Sequence, residues 1–197
     1  MKRNLFAFVW CIVGLSLIMS SCAFHQAKVE PLIIQLGNED AYIASKAVDK
    51  IVKIGNPAVP ELIKALSVPD KGNRHHLAIK TLANIGEPVV PVLIEAMKNK
   101  DADIRQGAVL ALSRMSYYNS KLVEPAIPEL TNALEDQDIR QIVVNTLGNI
   151  GEPAVPALIK ALSSDDSSIG ANAAFYLRKI GTPEAKRAVE EWEKSHR

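Results

Sequence analysis

Residues 150–162 read IGEPAVPALIKAL, and this stretch decides the fold because its opening recurs along the chain. Isoleucine, glycine, any residue and proline follow one another again from Ile54, Ile85 and Ile180. A glycine just past a helix can take the left-handed conformation that ends it, and the proline that follows cannot continue the helix. Recurrence at intervals of about 30 residues indicates an array of repeats.

Apolar residues after each proline follow the i, i+3, i+4, i+7 spacing that forms one face of an amphipathic helix. Each unit contains a second helix with an apolar face of its own. The quoted stretch shows the first spacing at Val155, Leu158, Ile159 and Leu162. The sequence predicts helix pairs over residues 29–55, 57–86, 88–116, 121–151 and 153–181, then a polar final helix from Glu184 to about Ser195.

The composition agrees with an all-α domain. Hydrophobic residues make up 48% of the 197 residues, and aromatic residues only 5%, so the apolar content is mainly aliphatic. Lys and Arg total 23 against 22 Asp and Glu, a net charge of +1. This balance does not favour nucleic acid as a partner.

The N-terminal segment is typical of an export signal. Residues 1–4 are basic, and Leu5 to Met19 form a 15-residue apolar run, shorter than the roughly 20 residues of a membrane-spanning helix. Met19-Ser20-Ser21-Cys22 resembles the lipobox of bacterial lipoproteins. This resemblance implies a signal peptide over residues 1–21, an acylated Cys22 on a lipidated tether over residues 22–28, and a repeat domain over residues 29–197. A plain signal peptide followed by an ordinary buried cysteine is the alternative.

The resemblance also implies a location. A lipoprotein of this type is anchored in a membrane of the bacterial cell envelope by its acyl chains, palmitate among them, and faces the periplasm. Ala23 stands after the cysteine where aspartate would favour retention in the inner membrane. We therefore expect the outer membrane rather than the inner one.

The repeats resemble a known family. The Gly-x-Pro-x-x-Pro opening, together with Asp103-Ile104-Arg105 and Asp138-Ile139-Arg140 at the starts of second helices, is similar to HEAT repeats, in particular to the short variety typified by phycobilisome-lyase-like proteins. The resemblance covers about residues 29–181. It implies a right-handed α-solenoid of about five helix pairs with a C-terminal capping helix. His75 and Gly170 occupy the arginine position in two other units, so an arginine ladder would be interrupted.

Residue patterns for catalysis are not evident in the sequence. His75 and His76 are adjacent on a helix, point about 100° apart and do not have the spacing of a chelating pair, so we expect no metal, and a solvated or groove-facing position for His75. Cys11 would leave with the signal peptide, which leaves no thiol for a disulfide. No phosphate-binding loop or nucleophile motif is present. These features predict a protein without cofactor that is not an enzyme.

Stacked second helices should line the inner wall of the solenoid and bind a protein partner. The candidate binding residues on this wall are Gln106, Leu110, Gln141, Asn145 and Phe175. Leu110 and Phe175 would act as apolar anchors, or alternatively would pack between neighbouring repeats.

One break in the repeat period provides a second candidate site. Ser116 to Leu122 are extra residues, which we expect to project as a loop bearing Tyr117 and Tyr118. Tyrosines on insertions of repeat proteins often contact partners. The alternative is that one of the two tyrosines fills a gap in the core.

Three functions are compatible with these features. The leading hypothesis is a membrane-tethered adaptor or scaffold that binds a protein partner in the cell envelope through its concave surface. The second is an accessory or lyase-like protein that acts with an enzyme or a pigment-binding partner. The third is a structural spacer.

Overall fold

The computed structural model describes residues 27–67 and 72–196. Over these ranges the protein is all-helical, and short 3₁₀ turns connect most of its α-helices. The first helix, α1, covers residues 27–36. The others are α2 (Ala41–Ile54), α3 (Val59–Leu66), α4 (Asn73–Ile85), α5 (Val90–Ala96), α6 (Ala102–Tyr118), α7 (Ile127–Asn132), α8 (Arg140–Ile150), α9 (Val155–Leu162), α10 (Ser167–Ile180) and α11 (Pro183–Ser195).

Ten of these helices form five consecutive pairs, and α11 follows the last pair. Within the described ranges, the second helices pack on one another in chain order: α2 contacts α4, α4 contacts α6, α6 contacts α8, and α8 contacts α10. This arrangement of stacked helix pairs is that of an α-solenoid. The predicted all-α repeat architecture with a C-terminal helix is confirmed.

The predictions for the N-terminus fall outside the described residues. These are the signal peptide over residues 1–21, the acylation site Cys22, and most of the tether over residues 22–28. Among the helices the structure describes, none is by itself long and apolar enough to cross a membrane. One pair of consecutive segments, Asn73–Ile85 and Glu87–Ala96, passes that test together but is bent by 113°.

Glycine and proline divide the pairs as the sequence predicts, with one difference in conformation. Gly181 is left-handed, with φ 73° and ψ 14°. Gly151 instead combines φ 89° with ψ −137°, in a region almost restricted to glycine, and Gly55 and Gly86 have similar angles. There the chain turns directly into a 3₁₀ turn, Glu152–Ala154, with a proline in its first positions. This turn therefore requires a glycine because φ is positive, although the residue does not adopt the left-handed helical conformation.

Aliphatic side chains from both helices of each pair form the core, and in the four pairs from α3 to α10 the central ones are leucines. The eight central ones are fully buried, and burying one such side chain stabilises the fold by roughly 1.5–3 kcal/mol. They are Leu62, Leu93, Leu130 and Leu158 from the first helices and Leu82, Leu112, Leu147 and Leu177 from the second. Because these four pairs supply their leucines at equivalent positions, the core continues from one repeat to the next.

Glycines in second helices allow neighbouring helices to pack closely. A Cβ atom added at Gly148 in α8 would lie 2.2 Å from Cδ1 of Tyr176 in α10. A Cβ atom at Gly107 in α6 would lie 2.8 Å from a methyl group of Leu66. In both places, glycine allows a neighbouring side chain to approach the helix backbone.

Arginines at the starts of second helices join neighbouring repeats. Arg105 donates from Nε to Asp136 at 2.7 Å and from a terminal nitrogen to Asp138 at 3.0 Å. The hydrogen bond to Asp136 raises the pKa of Arg105, and the nearby carboxylates add to the effect. Arg140 repeats this contact one unit later, 2.7 Å from Asp165.

The expectation for His75, at the same register position, was wrong. His75 is buried, and its Nδ1 lies 3.0 Å from the carbonyl oxygen of Leu66, at the end of α3. A buried carbonyl at a helix end needs a hydrogen-bond donor, and the imidazole ring provides one. Its position is neither solvated nor part of a groove.

Candidate protein-binding surface

The stacked second helices expose one continuous side, which we call the second-helix row: the solvent-facing residues of α2, α4, α6, α8 and α10. It includes the candidate residues from the sequence, with different degrees of exposure. Gln141 is exposed, and Gln106 is half-buried. Leu110 is half-buried against the core. Leu110 therefore packs against the core and also lies partly on the surface.

Asn145 and Phe175 differ in their role. The side-chain oxygen of Asn145 accepts a hydrogen bond from Nδ2 of Asn172 at 2.8 Å, and the hydroxyl of Tyr176 lies 3.4 Å away. Asn145 is thus engaged in holding α8 against α10. Phe175 is 57% exposed and packs edge-on against the ring of Tyr176. Of this pair, Phe175 is the residue that remains available to a partner.

The predicted loop over residues 116–122 was wrong, since α6 continues through Tyr118 and a 3₁₀ turn, Ser120–Leu122, follows. The helix persists because no glycine or proline interrupts it and because Ser116 is buried, with its hydroxyl donating to the carbonyl of Ser113. Tyr117 and Tyr118 occupy its last turn, 78% and 74% exposed. Neither tyrosine fills a gap in the core.

The end of α6 forms one side of a cleft of about 360 Å³ on the second-helix row, which we call the Arg114 cleft. It brings together Leu110, Tyr117 and Tyr118, which the sequence placed in two separate candidate sites. Its lining residues are His76, Ile79, Leu110, Ser113, Arg114, Tyr117, Tyr118 and Asn149.

Arg114 is the functional candidate that sequence reasoning missed. The sequence analysis placed Gln106 and Leu110 of α6 on the binding wall, and Arg114, four residues after Leu110, shares their face. Within the described residues, its buried Nε has no hydrogen-bond partner. Buried polar atoms in proteins are nearly always hydrogen-bonded, so this nitrogen is an exception that needs an explanation.

Nε of Arg74 is likewise buried without a hydrogen-bond partner in the described residues, whereas the other buried polar groups have structural partners. The hydroxyls of Thr81 and Thr146 donate to the carbonyls of Leu77 and Ile142, one turn earlier in their helices. Over residues 27–67 and 72–196, no group of three or more His, Cys, Asp or Glu side chains is arranged to hold a metal ion.

Stacked helix pairs with a polar final helix define the class of helical-repeat solenoids. The sequence pattern of HEAT repeats matches residues 29–113, 75–136 and 123–196. The chain therefore belongs to the HEAT-repeat family. No curated protein sequence matches it significantly.

Solved structures show the same fold at low sequence identity. An engineered protein is 22% identical, with a TM-score of 0.51 and 85% of each chain covered. A chain of the CpcE–CpcF complex of phycocyanin lyase from Nostoc sp. PCC7120 is also 22% identical, with a TM-score of 0.51, and the match covers 76% of this chain and 98% of that one. At this identity the similarity establishes the fold alone.

Proposed function

We propose that this protein is a non-enzymatic adaptor, tethered to a membrane of the bacterial cell envelope through an acylated Cys22, which binds a protein partner on its second-helix row. The tether and the location are supported by the sequence of residues 1–22. The binding role is supported by the repeat architecture, since solenoids of this kind present extended binding surfaces.

The observation that carries the proposal is the exposure of large aromatic side chains on the second-helix row. Tyr117, Tyr118 and Phe175 are 78%, 74% and 57% exposed. Aromatic residues are enriched at the energetically dominant positions of protein interfaces, because they bury a large area while losing little side-chain entropy. Exposed aromatic rings on this row, two of them lining a cleft, are typical of a protein-binding surface.

Site-specific photo-crosslinking in intact cells tests the binding surface. A photoreactive phenylalanine analogue is introduced at Gln141 or at Phe175, both exposed on the second-helix row. The matched control position is Val92, which is 42% exposed on the first helix α5. We expect one crosslinked protein of reproducible mass from the two row positions and not from Val92. Crosslinks to that protein from Val92 alone would exclude the second-helix row as its binding surface.

The same experiment separates the adaptor from an accessory protein that acts with an enzyme or a pigment-binding partner. The crosslinked protein is identified by mass spectrometry, and the complex purified without crosslinking is examined for visible absorbance. A colourless complex with a non-enzymatic envelope protein supports the adaptor. A pigment or an enzyme in the complex favours the second function.

A further inference from the structure

Arg114 and Arg74 differ from the other three arginines on the described second helices, because the buried Nε of each has no hydrogen-bond partner. Arg74 lies against Gly37, where an added Cβ would be 3.1 Å from its Nε, whereas Arg114 lines a cleft. Arg105 and Arg140 each contact aspartates of the following repeat at 2.7 Å, and Arg178 forms an ion pair with Glu193 of α11. Arg114 has no ion pair or hydrogen bond to any residue in the described part of the chain, and its Nε is nevertheless buried. The protein has removed this nitrogen from water without giving it an acceptor.

The surroundings of Arg114 contain no carboxylate that could serve as that acceptor. The helices that line the cleft, α4 and α8, have no Asp or Glu in their sequences. The one acidic residue of α6, Asp103, lies 11 positions before Arg114, which corresponds to roughly 16 Å along a helix. The cleft is thus an electropositive site within a chain whose net charge is only +1, and a ligand of opposite charge would complement it.

Apolar groups adjoin the guanidinium group. Ile79 and Leu110 line the cleft beside it. Tyr117 and Tyr118 stand at its edge with their ring planes at 88° and their centroids 5.5 Å apart. A side chain that enters the cleft would contact these aliphatic groups and the two rings at the same time. The cleft therefore combines one charged donor with an apolar wall.

We propose that the Arg114 cleft binds a segment of a protein partner that carries a carboxylate next to an apolar side chain. The carboxylate would accept hydrogen bonds from the two terminal nitrogens of Arg114, since Nε is buried, in one of the bidentate geometries that arginine forms with carboxylates. The apolar side chain would pack on Leu110, Tyr117 and Tyr118. This inference rests on the proposed function, and it adds the chemical class of the ligand.

Fluorescence anisotropy with defined peptides tests the inference on the full chain purified in detergent. The probe is a fluorescein-labelled octapeptide that alternates glutamate and phenylalanine. Matched peptides replace glutamate by glutamine or by lysine. We expect the glutamate peptide to bind about 10- to 100-fold more tightly than the glutamine peptide, as for one charge-assisted hydrogen-bonded pair, and the lysine peptide to bind least.

Substitutions assign this preference to Arg114. Arg114→Gln is expected to remove the preference for glutamate over glutamine. Arg114→Glu is expected to reverse it, so that the lysine peptide binds more tightly than the glutamate peptide. Arg187→Gln, which removes one positive charge from the exposed face of α11, is the matched control and should leave the preference unchanged. Thermal melting followed by circular dichroism verifies that each variant is folded.

Three results would overturn the inference. The first is equal binding of the glutamate and glutamine peptides to the natural chain, and the second is an unchanged preference in folded Arg114→Gln. The third is Arg114-dependent binding to phosphatidylglycerol vesicles without peptide binding, which would indicate a lipid ligand instead. If any of these occurs while crosslinking through Gln141 and Phe175 persists, the proposed adaptor function stands without the inference. Absence of crosslinks from both Gln141 and Phe175, in a chain with no other substitution, would count against the adaptor function itself.

Discussion

Gly148 and Tyr176 define a contact between α8 and α10 whose energy can be tested directly. Alanine at position 148 would place its Cβ 2.2 Å from Cδ1 and 2.3 Å from Cγ of the Tyr176 ring. Ordinary contacts of this kind begin at about 3.4 Å, so the ring or the helix must move by about 1 Å. Overpacking of this sort lowers the free energy of unfolding by about 1–3 kcal/mol. Because the displacement is large, we expect a cost near the upper end of this range.

Helix propensity acts in the opposite direction. Alanine is more favourable than glycine by about 1 kcal/mol in the interior of a helix. With an overpacking cost of about 3 kcal/mol, we expect Gly148→Ala to lower the free energy of unfolding by about 2 kcal/mol. In a Tyr176→Ala background the ring is absent, and the same substitution should raise it by about 1 kcal/mol.

Urea denaturation followed by far-ultraviolet circular dichroism measures both values as a double-mutant cycle. Ser113→Ala is the control, because Ser113 holds the equivalent position in α6, and we expect it to change stability by no more than about 0.5 kcal/mol. A stabilising effect of Gly148→Ala in the presence of Tyr176 would refute the reasoning, since the ring could not then lie against the backbone of α8.

Three further predictions concern processing, folding and pH dependence. Mass spectrometry of the membrane fraction is expected to find the chain beginning at an acylated Cys22; an unmodified Cys22 within a longer N-terminal peptide would contradict this. The melting temperature should be unchanged by chelator or reductant, because the fold relies on its hydrophobic core; a large shift with either would show otherwise. The hydroxyl and backbone N–H of Ser168 both donate to Asp166 and lower its pKa. Because the pKa of Asp166 is lower in the folded state than its unfolded value of about 4, these hydrogen bonds stabilise the folded protein at pH values above about 4. This stabilisation is lost as the pH falls through the folded-state pKa. Ser168→Ala should therefore reduce the melting temperature at pH 7 and reduce it progressively less in acid.

Helix boundaries were predictable because local residues determine them. Gly151 and Pro153 end one helix and set the start of the next through backbone conformation alone, and the quoted stretch contains both. The extension of α6 was not predictable in this way. Its last turn has no terminating glycine or proline, and its helical state depends on the burial of Met115 and Ser116 against the neighbouring repeats.

The roles of polar residues on the second helices were harder to predict, because a helical face does not reveal which partners lie opposite. His75 has the register of Arg105 and Arg140, which pair with aspartates of the next repeat, yet its own acceptor is the buried carbonyl of Leu66. Asn145 has the spacing of a surface residue, yet Asn172 of the next repeat donates to it. Arg114 became a candidate only when the absence of such a partner in the described residues was known. For His75 and Asn145 the deciding atom belongs to a different helix.

The arginine–aspartate contacts between repeats also determine whether additional repeats can be inserted into the solenoid. The unit over residues 121–151 carries both halves of the contact: Asp136 and Asp138 accept from the arginine before it, and its own Arg140 donates to the repeat after it. A tandem copy of this unit, as produced by gene duplication, would therefore place each Arg140 beside Asp136 and Asp138 of the next copy, which precede its second helix. Insertion of whole units at this point is expected to lengthen the protein while every new junction inherits a complementary charge pair.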